Sequence, residues 1–191
     1  MRDVGLASLA YFYFDSQDIE KQNVRNFLTS LLTQLAASSE NCRNIILRLY
    51  AKHGNGTQQP HIGALTNCLH EMLLAAARQP TYIIVDALDE CPNMTDMPTP
   101  RETVLSLLKG LVDLCVPNLH ICVTSRLEID IKIALGPLAY GAVSLHDERS
   151  QQRDIANYVG HVVYSDRNMR EWQESERELI ANELSRKADG M

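Results

Sequence analysis

Three short runs of β-favouring, mostly apolar residues constrain this chain more than any other feature: residues 6–14 (LASLAYFYF), 82–85 (YIIV) and 119–124 (LHICVT). Long stretches with helical spacing separate them. Near-continuous apolar strands of this length suit a parallel sheet, where each strand is covered on both faces. Strands alternating with helices predict an α/β fold, a parallel sheet with helices on both faces.

The helical stretches read clearly. Val24, Phe27, Leu28, Leu31, Leu32 and Leu35 fall on one face, after an acidic, polar lead-in, DSQDIEKQN. A second helix fits residues 41–53, with Ile45, Ile46, Leu49 and Tyr50 together. A third runs over 62–78, with Leu65, Leu69, Met72, Leu73 and Ala76 inward. The Pro-rich stretch PNMTDMPTPR predicts a surface loop. Beyond it a helix over 102–115 presents Val104, Leu107, Leu108 and Leu111. Residues 127–135 form a short helix, and 141–145 (GAVSL) a weaker strand. Two helices close the chain, the first with Ile155, Tyr158, Val159 and Val162 inward. The second carries Trp172, Leu179, Ile180 and Leu184 on its apolar side and is otherwise a solvated, charged face. The expected division is an α/β core over about 1–146 and the start of a helical extension over about 147–191.

Composition narrows the function classes. At 191 residues the chain is long enough to bury a core without disulfides or metals. A net charge of −6 argues against a nucleic-acid or membrane-surface binder. It leaves room for a small phosphate site, which needs only backbone N–H groups and one or two cations. No apolar run approaches the ~18 residues of a membrane span. The apolar N-terminal stretch ends in aromatics and Asp15 without a small-residue cleavage site, so it reads as a strand rather than a secretory leader. Five widely spaced cysteines, with no C-x-x-C pair, indicate reduced thiols and a cytoplasmic location. Tyr11, Phe12, Tyr13 and Phe14 read as buried strand rather than a base-stacking platform.

The polar residues at the strand ends raise the functional question. The strand YIIV runs straight into Asp86, with Asp89 and Glu90 one short turn on. Carboxylates this close disfavour each other's ionised form. The strand LHICV ends in Thr124, Ser125 and Arg126. In open α/β sheets ligands bind beyond the carboxyl ends of strands. One reading is an ordinary strand-to-loop passage, with hydrated acids and a surface ion pair of little energetic weight. The other is a site for a divalent metal and phosphate, with a carboxylate near Mg²⁺, a second acid orienting water and a cation at the next strand tip.

The strings YIIVDALDEC and ICVTSR, about thirty residues apart, resemble the Walker B element and sensor motif of NACHT-type (STAND-class) P-loop ATPases. LAYFYFD, KQN, LLTQL, VTSRLEIDI and the terminal KADGM are similar, in the same order, to the nephrocystin-type N-terminal domain of fungal receptor-like proteins. The resemblance implies that Asp86 is the magnesium-associated acid, that Asp89 and Glu90 form its acidic extension, where the hydrolytic acid or water-positioning group would be, and that Arg126 is the sensor, with Thr124 and Ser125 shaping its turn. It also implies Mg²⁺ with ATP or GTP as cofactor, slow hydrolysis, and signalling through protein partners or self-association.

One departure is large. A P-loop needs G-x-x-x-x-G-K-[ST], whose backbone amides, lysine and hydroxyl hold the phosphates and the metal. The chain contains no Gly-Lys dipeptide. In the family the P-loop and its strand precede a segment like LASLAYFYF, and that strand lies between the last strand and the VTSR strand. The expectation is therefore an incomplete P-loop NTPase core lacking its first strand, with little or no nucleotide binding of its own. A non-catalytic interaction scaffold derived from such a domain is the alternative, and a metal-dependent hydrolase working without a P-loop a third class.

Overall fold

The computed structural model describes residues 7–94, 98–144, 149–169 and 171–188. It divides into two compact units, Met1–Ala139 and Tyr140–Met191.

The first unit is α/β. Strand β1 (Ser8–Tyr13) is followed by α1 (Val24–Ser38), α2 (Glu40–Lys52) and α3 (Ile62–Ala75). Then come β2 (Thr81–Asp86), α4 (Pro100–Asp113), β3 (Leu119–Val123) and α5 (Ile129–Leu135). The strands form one parallel sheet in the order β1-β2-β3. In register, Tyr13 lies beside Asp86 and Val85 beside Val123, so the carboxyl ends of β2 and β3 share one edge.

Local chemistry sets the helix ends. The Asn23 side chain accepts from the Arg25 amide at 2.8 Å and starts α1. The His61 ring accepts from the Ala64 amide at 3.1 Å and starts α3. Thr99 and Glu102 form a reciprocal capping box with Pro100 at the first helical position, so α4 begins two residues earlier than its apolar spacing predicts. The acidic lead-in to α1 is a single 3₁₀ turn, Ile19–Gln22, capped by Asp18.

The expected parallel sheet flanked by helices is present, and its coverage is uneven. Both crossovers step the same way across the sheet, and right-handed connections then lay their helices on the same face. On that face Ala10, Phe12, Ile83 and Val85 join α1, α3 and α4 in one core, with Phe27, Leu31, Met72, Val104 and Leu108 buried. The alternate row is open. Tyr11, Tyr13, Tyr82 and Ile84 are 37–49% exposed, and His120 and Cys122 are exposed as well. The aromatic run of β1, read as buried on both sides, is thus buried at Phe12 and half-exposed at both tyrosines. Apolar side chains on the open row conceal the alternation. They also find partial cover of their own: the Tyr82 ring stacks on His120 at 4.9 Å, and Lys21 Nζ lies 3.0 Å above the Tyr13 ring.

Helix faces follow the spacing with local exceptions. All five predicted core residues of α1 from Phe27 to Leu35 are buried. In α2 the buried residues are Cys42 and Ile45, and Tyr50 turns out to solvent, 53% exposed, over Gly56. In α4 Leu105 is buried where Leu107 was expected to be; Leu107 is partly buried.

In the second unit α6 (Arg149–Ser165) and α7 (Glu174–Lys187) pack on one another. Among the described residues of α6 Val163 is buried, whereas Tyr158 and Val162, expected inward, are exposed. Trp172 lies outside α7 because the Glu176 carboxylate takes the Gln173 amide at 2.9 Å and starts the helix after it. Leu179 and Leu184 are exposed too. Residues 141–144 of the weak strand are not a strand: no ladder pairs them among the described residues, and an unpaired run gains nothing from extension. Leu145, Leu6, His146 and Arg170, which began or ended expected elements, lie outside the described residues.

Candidate functional site

The carboxyl edge of β2 and β3 brings Asp86, Asp89, Glu90, Thr124 and Arg126 together. Asp86 is the last residue of β2. Ala87 then takes a left-handed conformation, φ 52° and ψ 46°, without being glycine. Such a residue costs on the order of 1 kcal/mol and needs its surroundings to hold it. Here Thr124 does so. Its hydroxyl accepts from the Ala87 amide at 3.0 Å, and its carbonyl accepts from the Leu88 amide at 3.0 Å. The same hydroxyl donates to Asp86 Oδ1. The turn continues as a 3₁₀ helix, Leu88–Glu90, anchored by the fully buried Leu88.

The three carboxylates diverge to three different donors. Asp86 takes the Thr124 hydroxyl. Asp89, whose side chain is only 9% exposed, accepts from the Arg126 backbone amide at 2.9 Å and faces Arg126 Nε at 3.6 Å. Glu90 accepts from the Ser16 amide at 2.7 Å, which ties the turn to the segment after β1. Divergence is the local answer to their mutual repulsion. Among the described residues no three acidic, histidine or cysteine side chains converge as a metal-binding group. Arg126 is 83% exposed, so its pair with Asp89 contributes little and leaves most of the guanidinium open to another anion. The Ser125 side chain makes no hydrogen bond among the described residues.

Arg101, on the first turn of α4, is the residue that the strand-end motifs did not reveal. It is buried beneath the acidic turn. Its Nε donates to the Cys91 carbonyl at 2.9 Å, one terminal nitrogen donates to the Asp89 carbonyl, and the other meets Asp130 Oδ2 at 3.3 Å. A sequence signal existed: a cation in a helix's first turn opposes the helix dipole and calls for a specific partner. Cys91 closes the turn. Burial pushes its thiol up to about 12, so it is chemically quiet beside the acids.

A cleft of about 380 Å³ lies elsewhere, between α2 and α3, lined by Arg48, Lys52, His61 and Glu71 among others. It shares no residue with the strand edge. Among the described residues no helix is long and apolar enough to cross a membrane.

The family model described as Nephrocystin 3, N-terminal, matches residues 2–126, which run from β1 through the acidic turn to Arg126. No curated protein and no solved structure matches the chain.

Proposed function

The chain belongs to the nephrocystin 3 N-terminal family, and from that premise we propose that it carries the acidic and sensor half of a nucleotide-dependent signalling switch. The observation that carries this reading is the joint between two strand ends. Asp86 and Thr124 are hydrogen-bonded across neighbouring parallel strands, and Arg126, mostly exposed, stands one turn beyond. That is the arrangement a NACHT-type ATPase would need for a Walker B acid and a sensor cation.

The donor set bears on what could bind. Asp86 offers one carboxylate at an exposed strand end. That suits a Mg²⁺ ion that keeps its waters and takes its other ligands from phosphate oxygens, and not one held by protein alone. A P-loop holds the phosphates with backbone amides and a lysine, and no Gly-Lys step exists in the 191 residues. When bound, the metal and nucleotide would supply charge for Asp86 and Arg126 to read. Asp89 and Glu90 would position water with the acceptor capacity left to them, since each already gives one carboxylate oxygen to a backbone amide. On this reading the chain alone binds ATP or GTP poorly and hydrolyses neither measurably.

One observation favours the non-catalytic scaffold instead. Both proposed hydrolytic acids already serve the fold, Asp89 at the Arg126 amide and Glu90 at the Ser16 amide. The reading frame upstream of Met1 separates the two. The switch expects an in-frame G-x-x-x-x-G-K-[ST] there, and a longer chain carrying it should bind Mg²⁺–ATP, with Asp86→Asn weakening the dependence on Mg²⁺. A verified start at Met1, or a longer chain that ignores nucleotide, would establish the scaffold.

A further inference from the structure

Arg101 occupies a place that ordinarily repels it. It is the second residue of α4, where the helix amides present partial positive charge. Its side chain is only 10% exposed. Burying a guanidinium is costly unless its donors find acceptors. They do, and the acceptors come from two separate segments. Cys91 and Asp89 give carbonyls from the acidic turn, and Asp130 gives a carboxylate from the first turn of α5. Asp130 also accepts from Asn93 Nδ2 at 3.2 Å, and Asn93 in turn accepts the Thr99 hydroxyl at 3.0 Å, next to the α4 cap. The carboxylate of Asp89, whose carbonyl Arg101 holds, grips Arg126. A continuous chain of bonds therefore runs from Arg126 through Asp89 and Arg101 to Asp130 and α5.

We propose that Arg101 is a positioning residue that couples the acidic turn to α5, so that a change at Asp89 and Arg126 is felt at Ile129–Leu135 and the reverse. The planar guanidinium satisfies acceptors in three directions at once, which a lysine ammonium on a flexible stem does not. Energetic coupling of this kind is reciprocal. It gives the switch a route from the strand edge to the last α-helix of the first unit. The proposal rests on the switch reading only for what displaces Asp89; the coupling itself needs no nucleotide.

Amide hydrogen exchange on the whole chain tests it. Asp130 makes no hydrogen bond to Asp89 or Arg126 among the described residues, yet Asp130→Asn should speed exchange at the Arg126 amide about tenfold. Asp89→Asn should speed the α5 amide of Lys132 comparably. Amides of β2 should stay as they are. Arg101→Gln should release both places together, and Arg101→Lys should restore them only in part. Asp130→Asn alters a half-exposed carboxylate, so it keeps the test decisive even if Arg101→Gln fails to fold. An unchanged Arg126 amide in Asp130→Asn overturns the proposal, as does an equal acceleration of the β2 amides. A longer chain that carries the G-x-x-x-x-G-K-[ST] motif and still ignores nucleotide would count against the switch and leave this result standing.

Discussion

Strands β1 and β3 are built from similar residues and end in different surroundings. On the helix side of β1, Ser8, Ala10 and Phe12 are all buried; on β3, Leu119, Ile121 and Val123 are only partly so. The outer edge of β1 is closed by a side chain. Gln34 of α1 accepts from the Tyr11 amide at 3.1 Å and donates to the Tyr11 carbonyl at 2.7 Å, pairing the backbone as a further strand would. Among the described residues nothing does this for β3. An edge strand with no charge or proline to guard it is an open template, and LHICV has neither. The sheet is finished at β1 and open at β3, beside the edge that carries Thr124 and Arg126. A nucleotide-holding strand, on the switch reading, would lie against β3.

Substitutions can break this contrast. Phe12→Ala should cost about 3–5 kcal/mol, because its ring packs edge-on to Phe14 and Phe27 at 5.0 and 5.5 Å. Ile121→Ala, half-covered, should cost about 1–2 kcal/mol. Urea unfolding of both variants decides the matter; equal losses would mean that β3 is as enclosed as β1. Next in size is Gln34→Ala. The Tyr11 backbone then turns to water and the loss should be about 1 kcal/mol, with greater self-association through the newly exposed edge. A fully neutral result at both readouts would remove the claim that β1 is closed.

The smallest effect is chemical. Cys42, Cys68 and Cys91 are buried, and Cys115 and Cys122 exposed. Burial pushes Cys68 up to about 11 and Cys91 up to about 12, so neither offers thiolate near neutral pH. A thiol reagent should find two fast sites in the native chain and five after denaturation. Cys122→Ser should leave one. A slow Cys122 would show that the open face of β3 is covered in solution.

Much of the layout was legible from spacing. The α1 and α3 faces, the three strands and their alternation with helices follow from apolar periods that tertiary packing did not override. The open sheet face was not legible, since Tyr11, Tyr82 and Ile84 are as apolar or β-favouring as the residues buried beside them. The acidic turn was legible as a cluster but not as a shape. Ala87 is left-handed without the glycine that would announce it, and the partners of Asp89 and Glu90 are backbone amides, which carry no residue identity. Arg101 shows in the sequence only as a cation at a helix start; its acceptors are mostly carbonyls, equally silent in a sequence.

The central proposal is that Asp86, Asp89, Glu90 and Arg126 form half of a nucleotide site that this chain cannot complete by itself. Calorimetric titration of Mg²⁺–ATP into the purified chain tests it most directly. The account predicts no binding at low-micromolar concentrations, for wild type and Asp86→Asn alike. Low-micromolar binding by the wild type, lost in Asp86→Asn, would contradict it and make these residues a working site without a P-loop.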